Sequence, residues 1–447
     1  MSRDRSYQET IEYLYALQKH GVKLALSNSV ALMQAMDDPQ NKFRSVHVAG
    51  TNGKGSTSVF IASVLRSAGY RVGLYTSPHL VNFTERIRVN DAQISERKVV
   101  ELARRVREGY QRPSAGGCPL NPTFFEVTTA IAFTYFAEEQ VDIAVIEVGM
   151  GGRLDATNVI APLVSVITNI DIEHTEFLGT TLEQISREKA GIIKHRTPVV
   201  TGVTQAEVVE VINREAAKND ATVYRLGAAF RPEQVMSAGG QVFDYHGIRA
   251  TYEKIGLSMI GRYQVDNACL ALAAIECVRD AGIVVEEQAL RRGLAEARWE
   301  GRLELVARRP DVYLDGAHNP ASARMLAKTV KEMRPAYKRL ILVIGILGDK
   351  DYRGIISSIV PLADHVIVTK PSYSRAMDTA VLAPEVRLVH GAVETAATVG
   401  EAMICAQAVA AADDLILVTG SLYVVGDARA FFCAGRDADS TLSGLKG

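Results

Sequence analysis

Cysteine is scarce in this chain: five residues among 447, at positions 118, 269, 277, 405 and 433, an odd number with no C-x-x-C pair. Such spacing argues against a disulfide-framed fold or a zinc knuckle. It suits a reducing cytosol, with the thiols buried and inert. Long apolar runs are also missing, since no stretch approaches the roughly eighteen residues that a membrane span needs. The polar start, Met1-Ser-Arg-Asp-Arg-Ser-Tyr7, lacks the apolar centre of a secretory signal. Neither sign of charge is in excess: 50 Lys and Arg stand against 51 Asp and Glu, a net charge of −1. No basic field would draw the chain onto nucleic acid or anionic lipid, so any anion must be held by a local device. What remains is ordinary for a packed protein: 47% hydrophobic and 23% charged residues, which excludes disorder over most of the length.

Helix signals open the chain. Ser6-x-x-Glu9 reads as a capping box, Ile11, Leu14, Tyr15 and Gln18 follow at helical spacing, and Gly21 supplies a stop. Apolar runs at 45–49, 70–75, 141–148, 163–170 and 198–203 read as strands. Helices are expected at 57–68, 125–138, 182–190 and 263–281. Strands apolar on both faces, alternating with helices, predict an α/β domain built on a mostly parallel sheet. Residues 221–258, with turns at Gly239-Gly240 and His246-Gly247, read as a small β-rich part. The segment Arg298-Trp-Glu-Gly-Arg302 breaks the periodicity and holds the single Trp, so the domains are placed at 1–298 and 299–447. In the second, strands expected at 312–315, 340–345, 365–369, 386–390 and 415–419 predict a smaller, Rossmann-like α/β domain.

The strongest local signal is Gly50-Thr-Asn-Gly-Lys-Gly-Ser56, between a strand and a helix. Backbone N–H groups and a helix N-terminus there can face a phosphate chain, with Lys54 as a point charge and a hydroxyl beyond it for Mg²⁺. The spacing departs from G-x-x-x-x-G-K-[ST]: Val48 stands where the first Gly would fall, and Gly55 separates Lys54 from Ser56. The plain alternative is a glycine-rich turn with a solvated Lys. Polar residues follow other strands, where ligands of an open α/β sheet collect: Ser77, Glu147 and His174. A carboxylate in so apolar a strand as that of Glu147 needs a partner. His174 reads by chemistry alone as a hydrogen-bonding residue, because Mg²⁺ prefers oxygen. By position alone, Lys189 reads as a cation favoured by a helix C-terminus. Thr123-Phe-Phe-Glu126 forms a capping box, and Asn267 is a polar residue within an apolar helix. Asp315 and His318 stand at a strand end in Leu314-Asp-Gly-Ala-His-Asn-Pro320, as does Thr419-Gly-Ser-Leu-Tyr423.

Seven pieces in order resemble the folylpolyglutamate synthase/dihydrofolate synthase family of the Mur ligase group. They are Gly50 to Ser56, Thr76-Ser-Pro-His-Leu80, Glu147-Val-Gly-Met-Gly-Gly-Arg-Leu-Asp-Ala-Thr-Asn158, Glu173-His-Thr-Glu-Phe-Leu-Gly179, Arg187-Glu-Lys-Ala-Gly-Ile192, Asp315 to Pro320 and Thr419 to Tyr423. The resemblance implies a cytoplasmic, monomeric ATP-dependent amide ligase that adds L-glutamate to a reduced folate or to dihydropteroate through an acyl phosphate. It implies small-molecule partners only, with no nucleic acid and no membrane. By the same likeness Asn52, Gly53, Lys54, Gly55 and Ser56 hold the triphosphate, and Asn267, Arg302 and Asp315 contact the nucleotide. Two Mg²⁺ sites are implied, one at Ser77 and Glu147 and one at Glu147, His174 and a carbamylated Lys189, with a monovalent cation as a further candidate. Thr123, Phe124, Phe125 and Glu126 with Leu154, Asp155 and Ala156 would line the pterin pocket, and His318 and Ser421 would orient glutamate. Residues 23 to 25 join that pocket only by a weaker match: where the family often shows Leu-Gly-Leu, this chain has Leu24-Ala25-Leu26. Two alternatives stand beside this reading: another Mur-type amino-acid ligase, and a P-loop nucleotide-dependent binding protein. Fewer than fifty residues precede the phosphate loop, too few for the separate UDP-binding domain that cell-wall ligases usually carry.

Overall fold

A computed structural model describes residues 2–21, 25–111, 120–236 and 241–443. The chain forms two compact units, one of Met1–Ser258 with Gln264–Arg298 and one of Met259–Tyr263 with Trp299–Gly447. The first is built on an eight-stranded sheet. Its strands are β1 (Arg44–Ala49), β2 (Val72–Tyr75), β3 (Ile87–Val89), β4 (Ala92–Gln93), β5 (Ile143–Glu147), β6 (Val164–Ile167), β7 (Val199–Thr201) and β8 (Val223–Arg225). They lie in the order β4-β3-β2-β5-β1-β6-β7-β8, and only the β2–β3 and β3–β4 pairs are antiparallel. β1 therefore sits centrally, between β5 and β6, with His47 opposite Ile146 on one side and Ser165 on the other.

The apolar runs form strands because both faces are covered. One cluster gathers Tyr75, Ile146, Ile131, Phe133 and Phe136, and another gathers Ile167, Val199, Ile185, Val208 and Ile212. The β-rich part divides in two. β8 completes the large sheet, while β9 (Arg231–Met236), β10 (Gln241–His246) and β11 (Thr251–Leu257) make a separate antiparallel sheet. One buried carboxylate of the helix Arg262–Asp280 gathers several of the ties that hold that small sheet. Glu276 accepts from the Tyr245 hydroxyl at 3.0 Å and from the backbone N–H groups of Ile248, Arg249 and Ala250 at 2.8, 3.0 and 3.0 Å.

The second unit has a six-stranded sheet of β12 (Glu304–Ala307), β13 (Asp311–Leu314), β14 (Leu340–Ile344), β15 (His365–Val368), β16 (Val393–Thr395) and β17 (Leu415–Thr419). The order is β12-β13-β17-β14-β15-β16, parallel except for β12. Leu342, Ile344, Val366, Leu326 and Ile355 are among its core residues.

Several expectations are corrected. The first helix is Ser2–Ala16, so Ser6 lies inside it rather than at its start, and its backbone carbonyl accepts from the Thr10 hydroxyl. The run at 386–390 is not a strand: it ends the helix Thr379–Arg387, and the strand is β16, seven residues later. A short apolar run does not separate helix from strand by pattern, and here Val386 is buried while Leu388 is 81% exposed. β12 went unread because it is a half-buried edge strand. The cysteines divide: Cys269 and Cys277 are buried, Cys405 is half-buried and Cys433 is exposed. Cys118, the turn at Gly239-Gly240, and Lys23 and Leu24 of the weaker pocket match lie outside the described residues. Among the described residues no helix is long and apolar enough to cross a membrane.

Candidate active site

β1 ends at Ala49, and the helix Lys54–Ser67 starts at Lys54 itself, three residues earlier than its apolar pattern suggests. Two glycines make the turn. Gly50 has φ +146°, and a Cβ there would lie 1.9 Å from Thr168 Oγ1. Gly53 has φ +83°, and a Cβ there would lie 2.4 Å from Asn267 Oδ1. Thr168 and Asn267 thus pack directly on the loop backbone. The Thr168 hydroxyl donates to the Asn52 carbonyl at 2.7 Å, the Asn52 N–H donates to Asn169 Oδ1 at 2.9 Å, and Asn267 donates to Gln264 Oε1 at 2.9 Å. Ser56 is buried in the first helical turn.

Two ammonium groups converge on this turn. Lys54 Nζ donates to the carbonyls of Gly50 at 2.8 Å and Thr51 at 3.0 Å. Lys189 Nζ donates to the same Gly50 carbonyl at 2.8 Å and to Glu173 Oε1 at 2.6 Å. Lys189 is fully buried near the end of the helix Leu182–Ala190, itself opened by a Thr181–Gln184 capping box. Burial pushes the Lys189 ammonium down to about 8, against the pull of Glu173 and with the help of Lys54. Burial alone would raise the Glu173 carboxyl, but Lys189 and Lys54 hold it well below the usual carboxylate range. Sequence reasoning gave no role to Glu173, which it met only as part of a family piece, or to Thr168 and Asn169. The signal was available, since Thr168 and Asn169 follow β6 directly, at the sheet edge where ligands collect.

The next strand ends carry the oxygen donors. Glu147, the last residue of β5, is buried and accepts from the Ser77 N–H at 3.1 Å, just past the adjacent β2. A carboxylate and a hydroxyl on neighbouring strands fit a hard divalent cation that keeps most of its waters. Lys189 as an ammonium does not belong to such a donor set; it would join one only as a carbamate. His174 is exposed and caps the short helix Thr175–Leu178 in the left-handed region, φ +47°.

The segments expected to line a pterin pocket meet each other. Thr123 and Glu126 form the capping box of the helix Phe124–Glu138. Glu126 Oε2 accepts from the Thr123 N–H at 2.6 Å, while Oε1 is buried and has no hydrogen-bond partner among the described residues. Phe124 stacks on Tyr15, with ring centroids 5.5 Å apart. Phe125 lies so close over Gly149 that a Cβ there would fall 2.4 Å from its ring. Gly149 opens the loop that continues through Leu154, Asp155 and Ala156, where Asp155 is buried and Leu154 half-buried. Further on, the loop is clasped to the Lys189 helix. The Arg153 N–H donates to the Glu188 carbonyl at 2.7 Å, and Asn158 Nδ2 donates to the Gly191 carbonyl at 3.0 Å.

In the second unit, Asp315, His318 and Ser421 follow the paired strands β13 and β17. Asp315 is buried, accepting from the N–H groups of Ala317 at 2.9 Å and Leu303 at 3.0 Å; burial raises its carboxyl, with Arg302 opposing. The Arg302 guanidinium lies over Gly316, 3.0 Å from where a Cβ would stand. His318 Nδ1 is 2.8 Å from the Gly316 carbonyl, and Ser421 Oγ accepts from the Val424 N–H at 3.1 Å.

Comparison with known proteins places this geometry. Residues 48–275 match the Mur ligase middle domain, and residues 301–422 match the Mur ligase glutamate ligase domain. The chain is 39% identical over 433 residues to the dihydrofolate synthase/folylpolyglutamate synthase of Bacillus subtilis, covering 95% of this chain and 98% of that protein. Among solved structures, it superposes on Mycobacterium tuberculosis folylpolyglutamate synthase complexed with ADP with a TM-score of 0.89. Identity there is 35%, over 96% of this chain and 99% of the other. It also superposes on the bifunctional folylpolyglutamate synthase/dihydrofolate synthase of Yersinia pestis, complexed with AMPPNP and Mn ion. That match has a TM-score of 0.84 and 29% identity, over 95% of this chain and 97% of the other. A glycine-fixed turn at a helix N-terminus, an oxygen pair at adjoining strand ends and matched middle and glutamate ligase domains lead to one assignment: the chain belongs to the folylpolyglutamate synthase/dihydrofolate synthase family of Mur ligases.

Proposed function

We propose that this protein is an ATP-dependent ligase that joins L-glutamate by an amide bond to a reduced folate, to dihydropteroate, or to both. The acid's carboxylate oxygen attacks the γ-phosphorus of ATP, and ADP leaves. The amine of glutamate then adds to the acyl phosphate carbonyl, loses a proton, and expels phosphate. Charge neutralisation and orientation do most of the work in such a sequence.

The observation that carries the reading is the convergence of Lys54 and Lys189 on the Gly50 carbonyl, at the N-terminus of a helix. Backbone N–H groups of Asn52 to Ser56 would take the phosphates, and Lys54 would turn from the loop carbonyls to the phosphoryl oxygens. Asn267, Arg302 and Asp315 would contact the nucleotide. Ser77 and Glu147 would hold one Mg²⁺; Glu147, His174 and a carbamylated Lys189 would hold another, with a monovalent cation as a further component. Bound there, Mg²⁺ offsets phosphoryl charge. A Lys189 pKa near 8 supports carbamylation, because only the neutral amine takes up CO₂ and a fraction of it is present at neutral pH. The unpartnered Glu126 oxygen supports a pterin site, since a substrate N–H would satisfy it. Thr123 to Phe125 and Leu154 to Ala156 would form its walls, and His318 and Ser421 would orient glutamate. The protein would act as a cytoplasmic monomer on small molecules alone.

The test incubates pure protein with ATP and glutamate, once with dihydropteroate and once with tetrahydrofolate, and reads ADP and product mass. The expected result is ADP and an amide-linked glutamyl product only when both acid and glutamate are present. Phosphate release indifferent to both would overturn the ligase.

A further inference from the structure

One chain of hydrogen bonds ties the strand that feeds the phosphate loop to the loop that carries Asp155. His47 stands on β1, three residues before Gly50, and is fully buried. Its Nε2 is 2.9 Å from Thr157 Oγ1. Thr157 donates both its hydroxyl and, at 3.0 Å, its backbone N–H to Asp155 Oδ1. The other carboxylate oxygen, Oδ2, accepts from the Met150 N–H at 2.9 Å.

A hydroxyl has one proton to give. With that proton directed to Asp155, the Thr157 oxygen must accept from the ring, so His47 is the Nε2–H tautomer. Its Nδ1 then carries a lone pair, and Nδ1 is buried with no hydrogen-bond partner among the described residues. Burial, reinforced by Lys194, pushes the imidazole down to about 3, so the ring stays neutral. A buried ring nitrogen without a partner is unfavourable, so packing alone does not explain a histidine here. Its other nitrogen supplies the donor that fixes Thr157.

We propose that His47 is a positioning residue for the acid substrate: through Thr157 it fixes the Asp155 carboxylate, and with it the loop from Gly149 to Ala156, relative to the phosphate loop. This rests on the assignment of Leu154 to Ala156 to the pterin pocket. Because Phe125 packs on Gly149, a shift of the loop also reaches Thr123 to Glu126. Misplacement of a reacting carboxylate by a fraction of an ångström is costly for a reaction that depends on alignment.

The test uses the full chain with Thr157→Val, His47→Leu and His47→Gln. Thr157→Val is nearly isosteric and removes only the relay; His47→Gln keeps an N–H near the position of Nε2. In the first two, the KM for the acid substrate that the wild type uses, dihydropteroate or tetrahydrofolate, should rise roughly tenfold while the KM for ATP stays within about twofold, and His47→Gln should recover most of the loss. An unchanged KM for that acid in folded Thr157→Val, or equal shifts for acid and ATP, would overturn the proposal. If the wild type turns over no pterin substrate, the ligase reading fails instead. The relay is then judged by ¹⁵N-histidine spectra: a neutral Nε2–H ring for His47 at about pH 5 supports it, and a protonated or Nδ1–H ring refutes it.

Discussion

A lysine buried against a carboxylate has two ways to behave, and Lys189 is poised between them. As a cation it is held by Glu173 and the Gly50 carbonyl; as a neutral amine it is a nucleophile toward CO₂. Its folded pKa, about 8, lies below the ordinary 10.5. Protonated Lys189 therefore costs stability, and the cost is relieved as pH rises from about 8 through the unfolded value. Incubation with bicarbonate should give a mass adduct that grows from about pH 7 to about pH 9 and vanishes in Lys189→Met. Glu173→Gln leaves the ammonium buried without its counter-charge and should cost about 3 kcal/mol, read by denaturant unfolding. Lys54→Ala should lower turnover roughly 10²–10³-fold with only a small shift of the unfolding midpoint, because the side chain leaves the helix start for two loop carbonyls and carries little packing. Glu126→Gln should weaken pterin binding about tenfold, measured by calorimetry, if its free oxygen meets a substrate N–H. Much of this was legible by position. Glu147 announced itself as a carboxylate in an apolar strand, and Lys54 by its glycines. Lys189 was legible only through the family resemblance, because nothing in a helix-end lysine by itself tells that the tertiary fold will bury it, and Glu173, though it opens one of the family's pieces, gains a role only once Lys189 is found beside it.

Strands buried on both faces, β5, β14 and β17, were readable to within a few residues, as was the helix Leu182–Ala190 with one buried face. Elements held by side-chain contacts far apart in sequence were not. The small sheet of β9, β10 and β11 is attached in part through Glu276, which reads in sequence as one more helical glutamate. Glu276→Ala should leave three backbone N–H groups unpaired. Amide exchange at Ile248, Arg249 and Ala250 should accelerate sharply, while exchange in β1 and β5 stays slow. The start of the helix after the phosphate loop was misjudged because glycine at 53 and 55 conceals the first turn from an apolar pattern. Gly53→Ala places a Cβ against Asn267, in a backbone conformation that side chains rarely adopt. Nucleotide affinity should fall roughly tenfold or more in an ATP-binding titration.

At the scale of the whole chain, the near balance of charge has a measurable effect. With a net charge of −1 and an isoelectric point near 6.8, self-repulsion is weakest close to neutral pH. Light scattering should show the strongest self-association near that pH and a marked decline by about pH 8.5. A second, C-terminal α/β unit was legible because alternating strands and helices resume there. The assignment of Met259–Tyr263 to the second unit was not, since those residues lead straight into a helix whose remainder belongs to the first. The clasp between the loop after β5 and the Lys189 helix bears on how the sequence can drift. A Cβ at Gly152 would sit 2.8 Å from the carbonyl oxygens of Glu188 and Lys189, and one at Gly191 would sit 2.3 Å from the Cβ of Arg153. In a saturation library scored for growth or turnover, these two positions should be the least permissive on their segments. Neither can be rescued by changing a neighbouring side chain alone, since at each the obstruction includes main-chain atoms.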